Sequence, residues 1–362
     1  MRSILHFPAP RRILGHPHWG SEAEDFVVKA PSLDSSAILL MGLPRSGTTW
    51  LGKIFDSHPD TFYSHEPDSA QPFRGIPLLL AAEPAAEYRA RLTQEVERLR
   101  GLRTTRVVGK LPLFEKTYST SMPAWVRAKE LLVLKSLSRA FGDLKVPRHV
   151  CGSLEQASRW VWKSIESSGR LGALARSMPE SRVIFLIRHP CGVAASILRG
   201  EESTKFSAGR SSEDHGFFEL LAQTGPARSR GLTVDRFLAM SPVARVAWRW
   251  ALLNEKTIED LSGLSNCTVV RYEDLCERPL EVSRDLFQFA QLSWNDQTER
   301  FISLSTTKND ASYYGVFKDP RKSAHKWKEQ LSSDVVEEIL EVAAKTASGR
   351  LYSPGSTVAA GG

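Results

Sequence analysis

Cysteine is scarce: the 362 residues hold four, at Cys151, Cys191, Cys267 and Cys276. None sits in a C-x-x-C pair, so the sequence spells out neither a disulfide framework nor a zinc site. Thiols used this way read as reduced and mostly buried, which suits a reducing compartment. Long apolar runs are also missing, and none approaches the ~18 residues of a membrane-spanning helix. The opening stretch, MRSILHFPAPRRILGHPHWG, lacks the apolar core of a signal peptide. These features together set the expectation of a cytoplasmic protein without a transmembrane segment. No long Lys/Arg block occurs, nor any RRM, zinc-finger or homeodomain pattern, so no nucleic-acid partner is expected.

What is present is an ordinary globular composition, 41% apolar and 25% charged, long enough for one large α/β domain or two smaller ones. The net charge of +7 suits an anionic ligand without identifying it.

Residues 1–35 are aperiodic and read as an N-terminal arm, and residues 354–362 as a flexible tail. Between them, 36–353 reads as one α/β domain. AILLMG (37–42) is a buried strand running into a tight turn, and TTWLGKIFDSH (48–58) is a helix. Residues 67–158 carry two helical patterns, 83–102 and 124–141, broken by several prolines, and read as a mostly helical insertion. The α/β rhythm resumes with a strand at 159–164, a helix at 168–178, a strand at 181–188 and a helix at 190–200. Residues 201–232 read as a mobile polar loop. A long amphipathic helix over 241–261 has Ser241 as N-cap and Pro242 at its first position. CTVVRYEDL (267–275) reads as a last strand. Alternating strands and helices predict a P-loop-like central parallel sheet flanked by helices, with ligands at the carboxyl ends of the strands.

Two constellations point to a phosphorylated ligand. In 42-GLPRSGTTW-50 the glycines are spaced as in a P-loop, but Thr48 stands where an ATPase loop has lysine, and Arg45 supplies a cation inside the loop. The amides near Ser46, Gly47, Thr48 and Thr49 head a helix and suit an anion. In RHPCGVAAS, Arg188 ends a strand and Ser196 lies eight residues on, roughly 12 Å along a helix.

PRSGTTWLGKIFDSHP (44–59) resembles the 5′-phosphosulfate loop of the sulfotransferases, and RHPCGVAAS (188–196) resembles their 3′-phosphate motif. RYEDLCERP (271–279) is similar to their Tyr-Glu-Asp segment. DPRKSAHKWKEQLS (319–332) is similar to their C-terminal basic loop, without the glycine usual after Arg-Lys in the cytosolic branch. The four motifs stand in the family's order. The resemblance implies the donor 3′-phosphoadenosine 5′-phosphosulfate, the product adenosine 3′,5′-bisphosphate and no metal. It implies that Arg45, Ser46, Gly47, Thr48, Thr49 and Trp50 hold the phosphosulfate end. Arg188, Ser196, Arg321 and Lys322 would take the 3′-phosphate. Tyr272 lies against the adenine or is a core tyrosine.

Sulfuryl transfer needs cations near the leaving group and a base near the acceptor hydroxyl. VVGKLPLF (107–114) has no histidine where the cytosolic branch of the family carries its base. Glu66, in SHEPDS, follows Arg45 by twenty-one residues, similar to the tyrosyl-protein branch, and its Glu-Pro resembles the carbohydrate branch. Glu66 is therefore the candidate base, with His65 its rival. Arg45 and Lys163, at the end of WVWKS, are the candidate catalytic cations, with Lys110 and Lys135 as competitors.

The expected activity is sulfation of a hydroxyl on a carbohydrate or glycan-bearing acceptor. A phenolic, lipid or peptidyl-tyrosine hydroxyl is the alternative, and a P-loop kinase or NTPase or a non-catalytic nucleotide-binding module is the reading from another class.

Overall fold

The computed structural model describes residues 37–118, 122–202, 211–307 and 319–353. The N-terminal arm and the C-terminal tail expected from the sequence lie outside these residues. Five parallel strands form the central sheet: β1 (Ala37–Met41), β2 (Thr61–His65), β3 (Arg159–Ser164), β4 (Arg182–Ile187) and β5 (Cys267–Arg271). Their spatial order is β2-β3-β1-β4-β5. The chain leaves β1 for one half of the sheet and later crosses to the other half, which makes the carboxyl end of β1 the topological switch point.

The strands are buried on both faces, as parallel strands between helical layers must be. In β1, Ala37, Leu39 and Met41 enter one apolar core and Ile38 and Leu40 enter the other. β4 divides the same way, Val183, Phe185 and Ile187 against Ile184 and Leu186. Each fully buried side chain of this size contributes roughly 1.5–3 kcal/mol. In β3, Trp160 and Trp162 join the first core and Val161 the second. Strand alternation then puts Lys163 on the Val161 side, at the strand's carboxyl end.

Helix Thr48–Asp56 follows β1 directly, and its Leu51, Ile54 and Phe55 fill the second core. The insertion expected over 67–158 as mostly helical is helical over somewhat less than half its length, with its main helices at Ala86–Arg100 and Ala124–Phe141 and irregular chain between them. Leu92, Val96, Leu99, Val107 and Leu131 carry it onto the first core beside Trp160 and Trp162. Helix Pro242–Leu261 starts as expected, with the Ser241 side chain accepting from the Ala244 amide and proline in the first turn.

Three further expectations need correction. The strand β2 (TFYSH) was missing from the sequence reading; its Thr, Phe and Tyr favour a strand, but five residues wedged between a helix and a proline give too little periodicity to detect. The strand expected over 267–275 ends at Arg271, and Tyr272–Glu277 is a helix. Glu273 and Asp274 suit the positive end of that helix, and Asp274 accepts from the Arg271 guanidinium at 2.6 Å. The segment 201–232, expected as a mobile polar loop, is largely helical in its described part, with helices His215–Ala222 and Gly225–Arg228. Phe218, Leu221, Ala227 and Leu232 are buried there. The surrounding Gly and Ser masked that apolar run.

Candidate active site

The loop Gly42–Gly47 sits at the switch point. Gly47 has φ 93° and is the residue before helix Thr48–Asp56. A Cβ at Gly47 would strike the Tyr272 ring, and one at Gly42 would come 2.5 Å from the carbonyl oxygen of Leu186. Both glycines are therefore demanded by close approach, and Gly47 also by backbone sign. Arg45 adopts φ 72°, a left-handed conformation that costs a non-glycine residue ~1–2 kcal/mol. Among the described residues, no backbone or side-chain acceptor takes the amides of Gly47, Thr48 and Thr49. They are the open donors that a helix start offers an anion.

The structure brings the expected phosphate motifs together. Arg45 Nε donates to Ser196 Oγ at 2.8 Å. The Arg188 guanidinium forks, with Nη1 donating to the Arg45 carbonyl oxygen at 2.9 Å and Nη2 to the Ser323 carbonyl oxygen at 2.7 Å. Its Nε is buried and has no hydrogen-bond partner among the described residues. Arg188 thus ties the loop after β1 to the C-terminal segment, where helix Pro320–His325 is capped by Asp319. Arg321 and Lys322 are exposed on that helix, with Arg321 donating to the Glu277 carbonyl oxygen at 3.2 Å.

Two of the expected ligands have other surroundings. Trp50 is buried, and its indole N–H donates to Ser305 Oγ at 3.0 Å. It ties helix Thr48–Asp56 to helix Asp296–Thr307, and its ring stands edge-on to Tyr272 at 6.4 Å between centroids. Tyr272 is buried between Gly47 and the Arg188 guanidinium, which lies 4.7 Å from its ring centre. Its place is that of a buttress beneath the loop.

Glu66 and Lys163 meet at the carboxyl ends of β2 and β3. The register pairs His65 with Lys163 across the two strands and Leu40 with Lys163 on the β1 side. The Glu66 amide donates to the Lys163 carbonyl oxygen at 2.8 Å, and the Lys163 ammonium donates to Glu66 Oε1. Lys163 is 1% exposed, whereas the Glu66 side chain keeps 20% exposure and faces the open end. Burial pushes Lys163 below its ordinary value, and the Glu66 carboxylate acts against that shift. Glu66 has φ 49°, a strained conformation at the strand-to-helix corner.

The rivals are close by. His65 Nε2 is 3.9 Å from Glu66 Oε1, and His65 Nδ1 pairs with the Tyr63 hydroxyl at 2.8 Å. Burial, followed by Lys163, Lys110, Lys53 and Lys135, holds the His65 imidazole well below its ordinary value, so it is neutral near pH 7. Lys110 is lowered by burial and then by Lys163 and Lys135. Lys135 reaches the Gly109 carbonyl oxygen at 3.1 Å. The three lysines weighed from the sequence therefore belong to one cationic group, in which only Lys163 is ion-paired with Glu66. Arg45 points instead at Ser196.

The sequence reading missed a supporting layer. Asp68 is buried and accepts from Ser164 Oγ at 2.5 Å, Ser167 Oγ at 2.6 Å and Trp162 Nε1 at 3.4 Å. It locks the chain after β3 to the start of helix Pro67–Ala70 and so fixes both Lys163 and Glu66. Its only signal was Asp in the first turn after Glu-Pro. A cavity of about 100 Å³ opens beside the loop, lined by Leu43, Pro44, Leu79, Ile197, Phe217 and Trp250, with Glu166 and Arg249 at its wall. The Glu166 carboxyl is raised by burial, then by Asp68 and Glu66.

Fold and loop together define a P-loop-like α/β protein with a charged acid–base pair beside the loop. The sulfotransferase family model matches residues 37–296, and the chain belongs to that family of enzymes. Carbohydrate sulfotransferase 1 of Danio rerio is 25% identical over 341 residues, covering 83% of this chain and 74% of that protein. Carbohydrate sulfotransferase 1 of Rattus norvegicus is 21% identical over 324 residues, covering 83% and 75%. Among solved structures, mouse sulfotransferase SULT7A1 complexed with PAP is 13% identical with a TM-score of 0.42, covering 91% of this chain and 92% of that one. The sulfotransferase domain from the curacin biosynthetic pathway is 19% identical with a TM-score of 0.40, covering 86% and 97%.

Proposed function

We propose that the protein moves a sulfuryl group from 3′-phosphoadenosine 5′-phosphosulfate to a hydroxyl of a carbohydrate or glycan-bearing acceptor. The observation that carries this reading is the Glu66–Lys163 pair, held at the carboxyl ends of two strands next to the loop after β1. The loop fits an anionic donor. Among the described residues, three amides are open and the buried Arg188 Nε has no partner. Gly47, Thr48, Thr49 and Ser46 would hold the 5′ end, and Arg188 and Ser196 the 3′-phosphate, with Arg321 and Lys322 on the adjoining helix. When bound, the donor supplies the sulfuryl group on an activated phosphosulfate.

Glu66 takes the proton of the acceptor hydroxyl on its open carboxylate face. Once it carries that proton, the buried Lys163 ammonium has lost its counter-charge and is free to offset negative charge developing in the site. His65, neutral and turned to Tyr63, orients the corner and does not replace the base. Burial pushes the Cys191 and Cys267 thiols up to about 12, so they stay protonated and inert and take no part in the reaction.

The apolar lining of the cavity beside Pro44 favours a second reading, in which the acceptor hydroxyl is carried on a lipid or phenolic skeleton. Incubating the protein with the donor and a panel of glycans, phenols and lipids, then reading product masses, separates the two. Magnesium-dependent ATP hydrolysis without any sulfated product would reject both.

A further inference from the structure

Helix Ala124–Phe141 carries large apolar residues on both sides. Its inner side packs Leu131 and Leu134 on the core. The apolar residues of a surface helix normally face the core, yet this one turns Trp125 (63% exposed), Leu132 (50%), Val133 (60%) and Leu137 (43%) outward. At 100° per residue these four fall on one arc together with Lys129 and Arg139, both exposed. Phe141, 76% exposed, closes the helix. Large apolar side chains turned outward together in this way mark an interaction surface.

The charges on and around the arc say what covers it. Lys129 lies within it and Arg139 at its edge, and Lys129 Nζ lies 4.9 Å from the centre of the Trp125 ring. The exposed Arg106 and Lys145 belong to the other side of the helix, since their neighbour Thr105 meets Ser138 Oγ at 2.8 Å and Ser138 faces the core side with Leu131 and Leu134. Of the nearby acids, Glu130 pairs with His149 at 2.7 Å, and Asp143 is turned to the Thr105 hydroxyl at 2.7 Å and the Arg106 amide at 3.0 Å, on the side of Ser138. An apolar strip with aromatic ends and lysine and arginine beside it matches a bilayer interface with anionic headgroups. A second copy of this chain, net +7, would set the same cations against each other.

We infer that this helix docks the protein on an anionic lipid surface, with Trp125, Leu132, Val133 and Leu137 entering the headgroup boundary and Lys129 and Arg139 facing lipid phosphates. The inner side of the same helix carries Lys135, a member of the cationic group around Glu66. Docking therefore holds the catalytic end close to acceptors borne on the bilayer. The docking itself is independent of which acceptor is sulfated.

The test is co-sedimentation of the full chain with phosphatidylcholine vesicles, with and without phosphatidylserine, at low and high salt. We expect partition to the anionic vesicles, weakened by salt, and little to the neutral ones. Trp125→Ser/Leu132→Ser/Val133→Ser should abolish it. Lys129→Glu/Arg139→Glu, which leaves every apolar contact in place, should weaken it roughly twentyfold or more. Adenosine 3′,5′-bisphosphate affinity should stay unchanged in both variants. Absence of binding to anionic vesicles at low salt, or binding that neither variant alters, overturns the inference. So does a dimer that the apolar variant dissociates, or capture of an acidic protein where vesicles fail.

Discussion

Glu66 and Lys163 are joined twice, by a main-chain hydrogen bond from the Glu66 amide to the Lys163 carbonyl oxygen at 2.8 Å and by the ion pair of their side chains. The first bond fixes the corner where β2 ends, and the second sets a carboxylate at the mouth of the site over a buried cation. Replacing Glu66 by Gln keeps the shape and removes the proton acceptor. Turnover should fall by roughly 10²–10⁴-fold, with adenosine 3′,5′-bisphosphate affinity unchanged by calorimetry. A Gln variant that retains turnover rejects Glu66 as the base.

Lys163→Met leaves the Glu66 carboxylate without its cation in a partly closed site. Breaking a buried pair costs up to ~3–5 kcal/mol, and the 20% exposure of Glu66 relieves part of it. The melting temperature should drop, and Glu66→Gln added to Lys163→Met should restore part of the loss. A double variant less stable than the sum of the singles would show that the two side chains do not act as a pair.

Arg188 spans the Arg45 and Ser323 carbonyl oxygens with two arms of one guanidinium. Lysine cannot reproduce that fork, so Arg188→Lys should weaken adenosine 3′,5′-bisphosphate binding roughly tenfold or more. Gly47→Ala should weaken it further, because the methyl group meets the Tyr272 ring and the backbone is left-handed. Adding Tyr272→Ala should recover only the steric part. Wild-type affinity in Gly47→Ala would refute the close packing beneath the loop.

His189 stacks on Trp327 at 4.6 Å between centroids, and its Nδ1 accepts the Cys191 amide at 3.3 Å. Burial, helped by Arg188, lowers it to about 4. In the unfolded chain it titrates near 6.5, so between pH 6.5 and 4 the unfolded state binds the extra proton. Its contribution is present above pH 6.5 and is lost as pH falls through that window, on the order of 3 kcal/mol in all. Melting curves from pH 7 to 4 should fall more steeply for the native chain than for His189→Gln. Parallel curves would place the acid sensitivity elsewhere.

Much of this site was legible in the sequence because its chemistry is local. Gly42, Arg45, Gly47 and Thr48 occupy one loop, Arg188 and Ser196 one strand–helix junction, and Ser241-Pro242 one helix start, each with a spacing that fixes backbone geometry. Glu66 and Lys163 were found by their distances from Arg45 and Arg188, but their ion pair depends on β2 lying next to β3, and β2 was the strand that five mixed residues concealed. Asp68 escaped for the same reason, since its partners Ser164, Ser167 and Trp162 are 94–99 residues away. Trp50 and Tyr272 lie within motifs, yet a motif does not say which way a ring turns. Packing decided that, through Ser305 for one and Gly47 with Arg188 for the other.

The most direct test of the account follows both products of one reaction. The protein is given 3′-phosphoadenosine 5′-phosphosulfate and a mixture of glycans, and the acceptor masses and released adenosine 3′,5′-bisphosphate are measured together. The account requires a glycan to gain one sulfate for each adenosine 3′,5′-bisphosphate formed, and Glu66→Gln to abolish both. Nucleotide release without a sulfated glycan, or sulfation confined to phenols and lipids, would contradict it.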